Sequence, residues 1–229
     1  FERILQFNAS TLQDNDNLSI GGLTPSLTLD FRDDPINTRK GYYFNISSEW
    51  ANPYFGSMKQ SNFEVNYVKV INRNKIYIPA GDIVLALSLA LGYEQNYALG
   101  KFIPNIKVFR LDGYDEIRGF EDSEINHFSD GREVGKVPIT KSAYFTAFKF
   151  EPRYRLTDSL VLNIFYDAGR VFYDHFIPLS LRSSVGLGLK FVTPVGSLDF
   201  DYGVKLTRKS FQDGQRDSMG RFQLSIGFF

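Results

Sequence analysis

The segment Asp82–Glu94 constrains the fold more than any other stretch of the chain. Ile83, Leu85, Leu87, Leu89, Leu91 and Tyr93 take every second position, with Val84, Ala86, Ser88, Ala90, Gly92 and Glu94 between them. Side chains of a strand point alternately to opposite faces, so this is a β-strand with one strongly apolar surface. The pattern holds for about eleven residues, the length a tilted strand needs to cross a bilayer. Its other face is small, whereas the outer face of a soluble sandwich meets water and carries long charged side chains. A small face suits a lumen that has to accommodate something.

The same alternation recurs along the chain. Tyr144, Thr146, Phe148 and Phe150 oppose Ala147, Lys149 and Glu151, and Leu160, Leu162, Ile164 and Tyr166 oppose Val161, Asn163, Phe165 and Asp167. Val185, Leu187, Leu189 and Phe191 alternate with Ser184, Gly186, Gly188 and Lys190. Leu198, Phe200, Tyr202 and Val204 alternate with Asp199, Asp201 and Gly203, and Phe222, Leu224, Ile226 and Phe228 alternate with Gln223, Ser225 and Gly227. Toward the N-terminus the pattern is weaker: residues 2–10, Leu27–Phe31, Tyr42–Trp50 and a segment around Phe63, Val65 and Tyr67. About ten strands result, and no window has a competing helical period.

Composition narrows the class. No run approaches the roughly 18 apolar residues of a membrane helix. Yet the chain holds 22 Phe and 13 Tyr among 229 residues, an aromatic excess that girdles at two membrane interfaces explain. Lys+Arg and Asp+Glu balance at 26 each, which gives no polyanion-binding surface and no nucleic-acid partner. Cysteine is absent, which removes disulfides, thiol catalysis and Cys-based metal sites. The start at Phe1 reads as a processed chain or an excised fragment.

Connection lengths alternate. Short ones fall at Arg32–Lys40, Asn72–Gly81, Arg155–Ser159 and Thr193–Gly196; long or aromatic ones at Leu12–Gly22, Ala51–Ser61, 97–141, Val171–Leu181 and Thr207–Gly220. Transmembrane barrels have short periplasmic turns and longer outer loops, whereas a sandwich has no reason to sort its loops by parity. The expected fold is therefore all-β, a transmembrane antiparallel β-barrel domain over residues 1–229. The long loop 97–141 folds back into the lumen.

That loop contains Ile117-Arg118-Gly119-Phe120. This stretch resembles the V/I-R-G-F/Y tip of the long sixth extracellular loop in the BamA-like outer-membrane assembly superfamily. Five strands follow it here, as they do in that family's sixteen-stranded barrel. Phe165-Tyr166-Asp167-Ala168-Gly169-Arg170-Val171 resembles the family's aromatic-aromatic-Asp-x-Gly-x-V strand end. Glu151-Pro152-Arg153-Tyr154-Arg155-Leu156 resembles its E-x-R-x-P-L end, with Arg155 where Pro is usual. Thr193–Leu198 with Asp201-Tyr202-Gly203, and Leu29–Pro35 with Thr38–Tyr42, are similar to further family segments.

The loop arginine also has a physical reading of its own. Arg118 is a planar, permanent cation that a low-dielectric lumen does not tolerate unpaired. Asp167 and Glu151 lie on the expected inner face of neighbouring strands, where a bidentate Arg–carboxylate bond is strong and specific. Gly119 permits a close approach or a positive φ at the loop tip. The alternative is that Arg118 and Asp167 are ordinary hydrophilic residues. The terminal strand, with Phe222, Leu224, Ile226, Phe228 and Phe229, resembles the aromatic-ended signal of outer-membrane barrels. The same residues also suit any last barrel strand.

The resemblance implies an insertase that templates substrate strands at a lateral seam between the first and last barrel strands. Its partners would be outer-membrane lipid, unfolded outer-membrane proteins and periplasmic accessory proteins reached through N-terminal domains absent from this chain. It would sit in the outer membrane of a Gram-negative cell, with no cofactor and no bond chemistry. A two-partner-secretion or TamA-like translocation pore and a passive porin are the alternatives. His127 and His175 read as solvated loop residues outside any nucleophile motif. Asp199 and Asp201 read as a hydrated lumen lining.

Overall fold

The computed structural model describes residues 2–4, 18–59, 64–98, 101–113, 116–127, 132–135, 138–177, 180–193, 196–208 and 217–227. One antiparallel sheet of ten strands dominates it. Its elements in chain order are β3 (Gly22–Leu23), β4 (Ser26–Asp30), β5 (Gly41–Ala51), β6 (Tyr67–Ala80), β7 (Ile83–Asn96), β8 (Ser142–Arg155), β9 (Leu160–Tyr173), β10 (Arg182–Thr193), β11 (Gly196–Lys205) and β12 (Gly220–Gly227). From β5 to β12 every strand pairs with its sequence neighbours, an up-and-down meander. β3 and β4 pair successive stretches of β5 and together make one interrupted edge strand. The break falls at Thr24-Pro25, where proline has no N–H to give to a ladder. A separate two-stranded pair joins β1 (Glu2–Ile4) to β2 (Leu18–Ile20). The rest of the expected first strand, and Phe228 and Phe229 of the last, lie outside the described residues.

Register makes the two faces continuous across strands. Leu187 stands opposite both Ile164 and Tyr202, and Phe200 opposite both Leu189 and Leu224, all on the outer face. Outer-face residues stay accessible: Leu187 58%, Ile164 52%, Leu224 52% and Ile226 54%. A soluble domain buries such a ribbon; a hydrocarbon bilayer is the solvent that suits it. No helix among the described residues is long and apolar enough to cross a membrane.

Long strands are joined at one end by tight turns at 81–82 and 156–159, with Thr193 of β10 paired directly to Gly196 of β11, and at the other by long connections. The turn after β4 is the most elaborate of the short ones. Asp33 accepts from the backbone N–H groups of Arg39 (3.0 Å) and Lys40 (3.2 Å), and Asp34 from Ile36 and Asn37. Arg32 grips Asp30 through Nε at 2.9 Å and a second guanidinium nitrogen at 2.7 Å.

One expectation fails outright. Asn72–Gly81 is strand through Ala80, and the turn is only 81–82. The polar run Asn72-Arg73-Asn74-Lys75 resembles a turn, but β5 and β7 supply ladder partners on both sides. Arg73 and Lys75 face the polar lumen; of the outward pair, Asn74 donates to Asn72 at 2.5 Å and Asn72 donates to the Asn45 carbonyl at 3.2 Å. The segment around Val65 also differs. Val65 and Tyr67 are buried on the inner side and belong to the core instead of a lipid face.

The core lies between the loop 97–141 and the inner wall. Ile103, Phe109, Leu111, Ile117, Phe120 and Ile125 of the loop pack with Ala90, Ala143, Phe145, Ala147 and Val171 of the strands. Small inner residues are the sockets. A Cβ on Gly92 would fall 2.1 Å from the Phe145 ring and 2.8 Å from that of Phe109. One on Gly169 would fall 2.6 Å from the Ile117 side chain. The small face of β7 is small because the loop fills the lumen beside it.

Candidate functional site

Alternation alone places the acids of the site. Asp167 on β9, Glu151 on β8 and Asp201 on β11 all fall at inward positions, and the loop delivers Arg118 among them. The Arg118 Nε and one terminal nitrogen donate to the two oxygens of Asp167 at 2.8 and 3.0 Å, a fork-to-fork pair. The other terminal nitrogen lies 2.7 Å from Glu151 and 3.3 Å from Asp201. The guanidinium carbon rests 3.7 Å from the centre of the Phe165 ring. Asp167 is fully buried and also accepts from the Arg118 backbone N–H at 3.1 Å. The desolvation of this cation is thus offset by three carboxylates and an aromatic face.

Gly119 follows with φ of +88°, a left-handed conformation that glycine adopts without steric cost. Its backbone N–H donates to Gln223 on β12 at 3.1 Å, and Ser184 on β10 donates to the Arg118 carbonyl at 2.5 Å. Phe120 is fully buried beneath the cations of Arg182 (4.7 Å) and Lys205 (5.3 Å). Ile117 fills the socket over Gly169. All four residues of the tip therefore meet the inner wall.

Further contacts hold the loop on both sides of the tip. Beyond the tip, helix α1 (Asp122–Ile125) is capped reciprocally by Glu121 and Glu124. Glu124 accepts from Lys205 of β11 at 2.5 Å and from the Ser218 N–H at 3.0 Å. Buried Arg182 pairs with buried Asp217 and donates to the Glu124 carbonyl. Although burial opposes it, the Glu124 carboxyl is held below its ordinary value by the Glu121 N–H, Lys205 and Ser218. Before the tip, Lys107 pairs with Glu49 of β5 at 3.1 Å, and Lys69 of β6 donates to the Lys107 carbonyl at 2.5 Å. Below the clasp lies a polar cavity of about 630 Å³ lined by Arg73, Glu116, Lys149, Lys190 and Asp199, among others.

Several participants escape a reading from sequence. Asp199 and Asp201 both line the polar cavity, but Asp201 is 6% exposed and also belongs to the arginine cluster, while Asp199 pairs with Lys190 at 3.0 Å. Gln223 and Ser184 stand out by no chemistry of their own, and Phe165 stands in the aromatic-aromatic-Asp segment without any sign that it meets the arginine. Their inward phase is visible in the alternation, but which loop atoms they meet is not. His127 is half-buried in the loop, where its backbone bridges to Glu133. His175 is exposed. The described residues hold no group of three or more side chains suited to a metal ion. Phe222, Leu224 and Ile226 project outward along β12.

A lipid-facing antiparallel wall whose inner side grips its own arginine-bearing loop defines a transmembrane β-barrel protein. The model of the Omp85 superfamily domain matches residues 3–229, and the chain belongs to that superfamily. It is 30% identical over 132 residues to the outer membrane protein assembly factor BamA of Nitratidesulfovibrio vulgaris, covering 56% of this chain and 16% of that protein. The fold matches the crystal structure of BamA from Haemophilus ducreyi lacking POTRA domains 1-3, with a TM-score of 0.61 at 20% identity. That match covers 90% of this chain and 42% of the other. The chain thus spans the BamA-like C-terminal barrel region, a sixth and under a half of the two relatives' lengths.

Proposed function

We propose that this chain is the C-terminal wall and internal loop of an outer-membrane protein insertase. The arginine clasp carries the reading. A diffusion porin needs an open lumen, whereas here a loop that shares a hydrophobic core with the wall occupies the inner side and is tied to strands β8 to β12. Such bracing fits a barrel that must keep its shape while an edge works.

The edge in this reading is β12, the last strand of the sheet, whose inner face meets the loop tip through Gln223. Exposed strand edges recruit other strands, and closed barrels normally abolish them. A controlled edge lets an incoming outer-membrane strand add by β-augmentation, with main-chain hydrogen bonds as the affinity and no covalent chemistry. The substrates are unfolded outer-membrane proteins, delivered from the periplasm with the help of accessory proteins. Surrounding lipid meets the outer aromatic and aliphatic face.

The test reconstitutes the complete protein into vesicles and follows an added unfolded outer-membrane protein by its heat-modifiable gel mobility. Accelerated folding into the vesicles supports the insertase. A large, steady conductance with no acceleration supports the porin and overturns the proposal.

A further inference from the structure

Gln223 has a place in the fold that the arginine clasp leaves unexplained. It sits on the inner face of β12, the terminal strand of the sheet, and is 3% exposed. Its side-chain nitrogen donates to the carbonyls of Gly113 (2.5 Å) and Phe120 (3.4 Å). Its side-chain oxygen accepts from the Gly119 N–H at 3.1 Å. One amide therefore satisfies three main-chain groups on both limbs of the loop tip. Two further ties join the same hairpin to the loop: Arg221 to Glu121 at 3.5 Å, and the Ser218 N–H to Glu124 at 3.0 Å.

The chemistry is specific to glutamine. Two carbonyls require a donor and one N–H requires an acceptor, which a primary amide supplies together. Glutamate would turn an anionic oxygen toward both carbonyls, and leucine would leave all three groups unpaired. Asparagine has the right atoms on a stem one methylene shorter. These groups are buried, so withdrawing β12 strands them away from water, and leaving them unpaired is costly.

We infer that Gln223 is a latch that couples the edge strand to the loop tip, so that β12 cannot leave the wall without freeing Gly113–Phe120. This deepens the proposed insertase, since it makes the loop the element that controls the working edge. The latch is a positioning device and touches no substrate. Arg118 ties the loop to β8, β9 and β11; Gln223 alone among the tip's buried partners ties it to β12 in the described residues.

The test is hydrogen exchange on the complete protein in lipid, at a pH high enough for exchange to report opening rates. In the unmodified protein, segments 111–120 and 220–227 are expected to open at one common rate, slower segments of β8 and β9 staying closed. In Gln223→Leu the rates separate: β12 opens faster, on the order of tenfold, while the arginine-held tip keeps close to its original rate. If leucine prevents folding, Gln223→Asn is read in the same way. Unequal rates in the unmodified protein overturn the latch, as do variants whose two segments still open together. The exchange needs no substrate, so a protein with equal rates that inserts nothing keeps the latch and loses the insertase reading.

Discussion

Gly119 and Gly203 touch backbone to backbone. A Cβ built on Gly203 would fall 2.8 Å from the Gly119 Cα and 2.9 Å from its nitrogen. One built on Gly119 would fall 3.0 Å from the Gly203 carbonyl carbon. The loop tip thus lies directly on β11, with no side chain between, and this closeness brings the Arg118 guanidinium within reach of Asp167, Glu151 and Asp201.

Adding a single methyl at this contact tests it. Gly203→Ala is expected to push the tip off the wall, at a cost of about 1–3 kcal/mol typical of overpacking. The strand itself, paired on both sides, persists. Protease sensitivity of segment 116–127 in the folded, heat-modifiable barrel should rise. Unchanged sensitivity contradicts the contact.

On the opposite face the solvent is lipid. Leu187→Arg, in the middle of β10 and 58% exposed, is expected to destabilise the barrel by about 2–4 kcal/mol if it sits near the bilayer midplane. Leu187→Val should be close to neutral. Denaturant titration in vesicles measures both; an arginine tolerated as well as valine would place this face away from hydrocarbon.

Acid should loosen the far side of the loop. The Glu124 carboxyl is held below its ordinary value of 4.5, chiefly against burial, by the Glu121 N–H, Lys205 and Ser218. Burial holds the His127 imidazole below its ordinary 6.5. Both folded values are depressed, so the unfolded form binds more protons and stability falls as pH falls. Docking of residues 121–127 should be full above 6.5, weaken first as His127 gains its proton, and weaken again below 4.5 as Glu124 does. Exchange of those amides across the range is the measurement, with Glu124→Gln expected to lose the second stage. A loop that loosens as pH rises is the contrary result.

Much of this fold is legible in the residues, and the reason is periodicity. A two-residue repeat fixes which side chains face lipid, so the phases of Ile83–Tyr93, Leu160–Tyr166 and Phe222–Ile226 agree with the strands. Alternation fails where polar residues serve a polar lumen: Asn72–Lys75 look like a turn until strands on both sides are known. It also cannot reveal contacts between distant segments. Arg118 is separated from Asp167 by 49 residues and from Asp201 by 83, and Gln223 from Gly113 by 110. Charge and burial require that a lumenal arginine find an acid; they do not say that three converge on it or that the last strand joins them through an amide.

The arginine clasp is the centre of the account, and a double-mutant cycle on Arg118→Ala and Asp167→Asn in the complete protein tests it most directly. Each single change removes one partner of a buried pair and is expected to cost about 3–5 kcal/mol in loop docking or barrel stability. Together they should cost clearly less than the sum, by about 0.5–3 kcal/mol, because the interaction is lost only once. Insertion activity should fall in step with docking. If the two losses simply add, Arg118 and Asp167 do not hold the loop to the wall, and the brace on which the proposed function rests is absent.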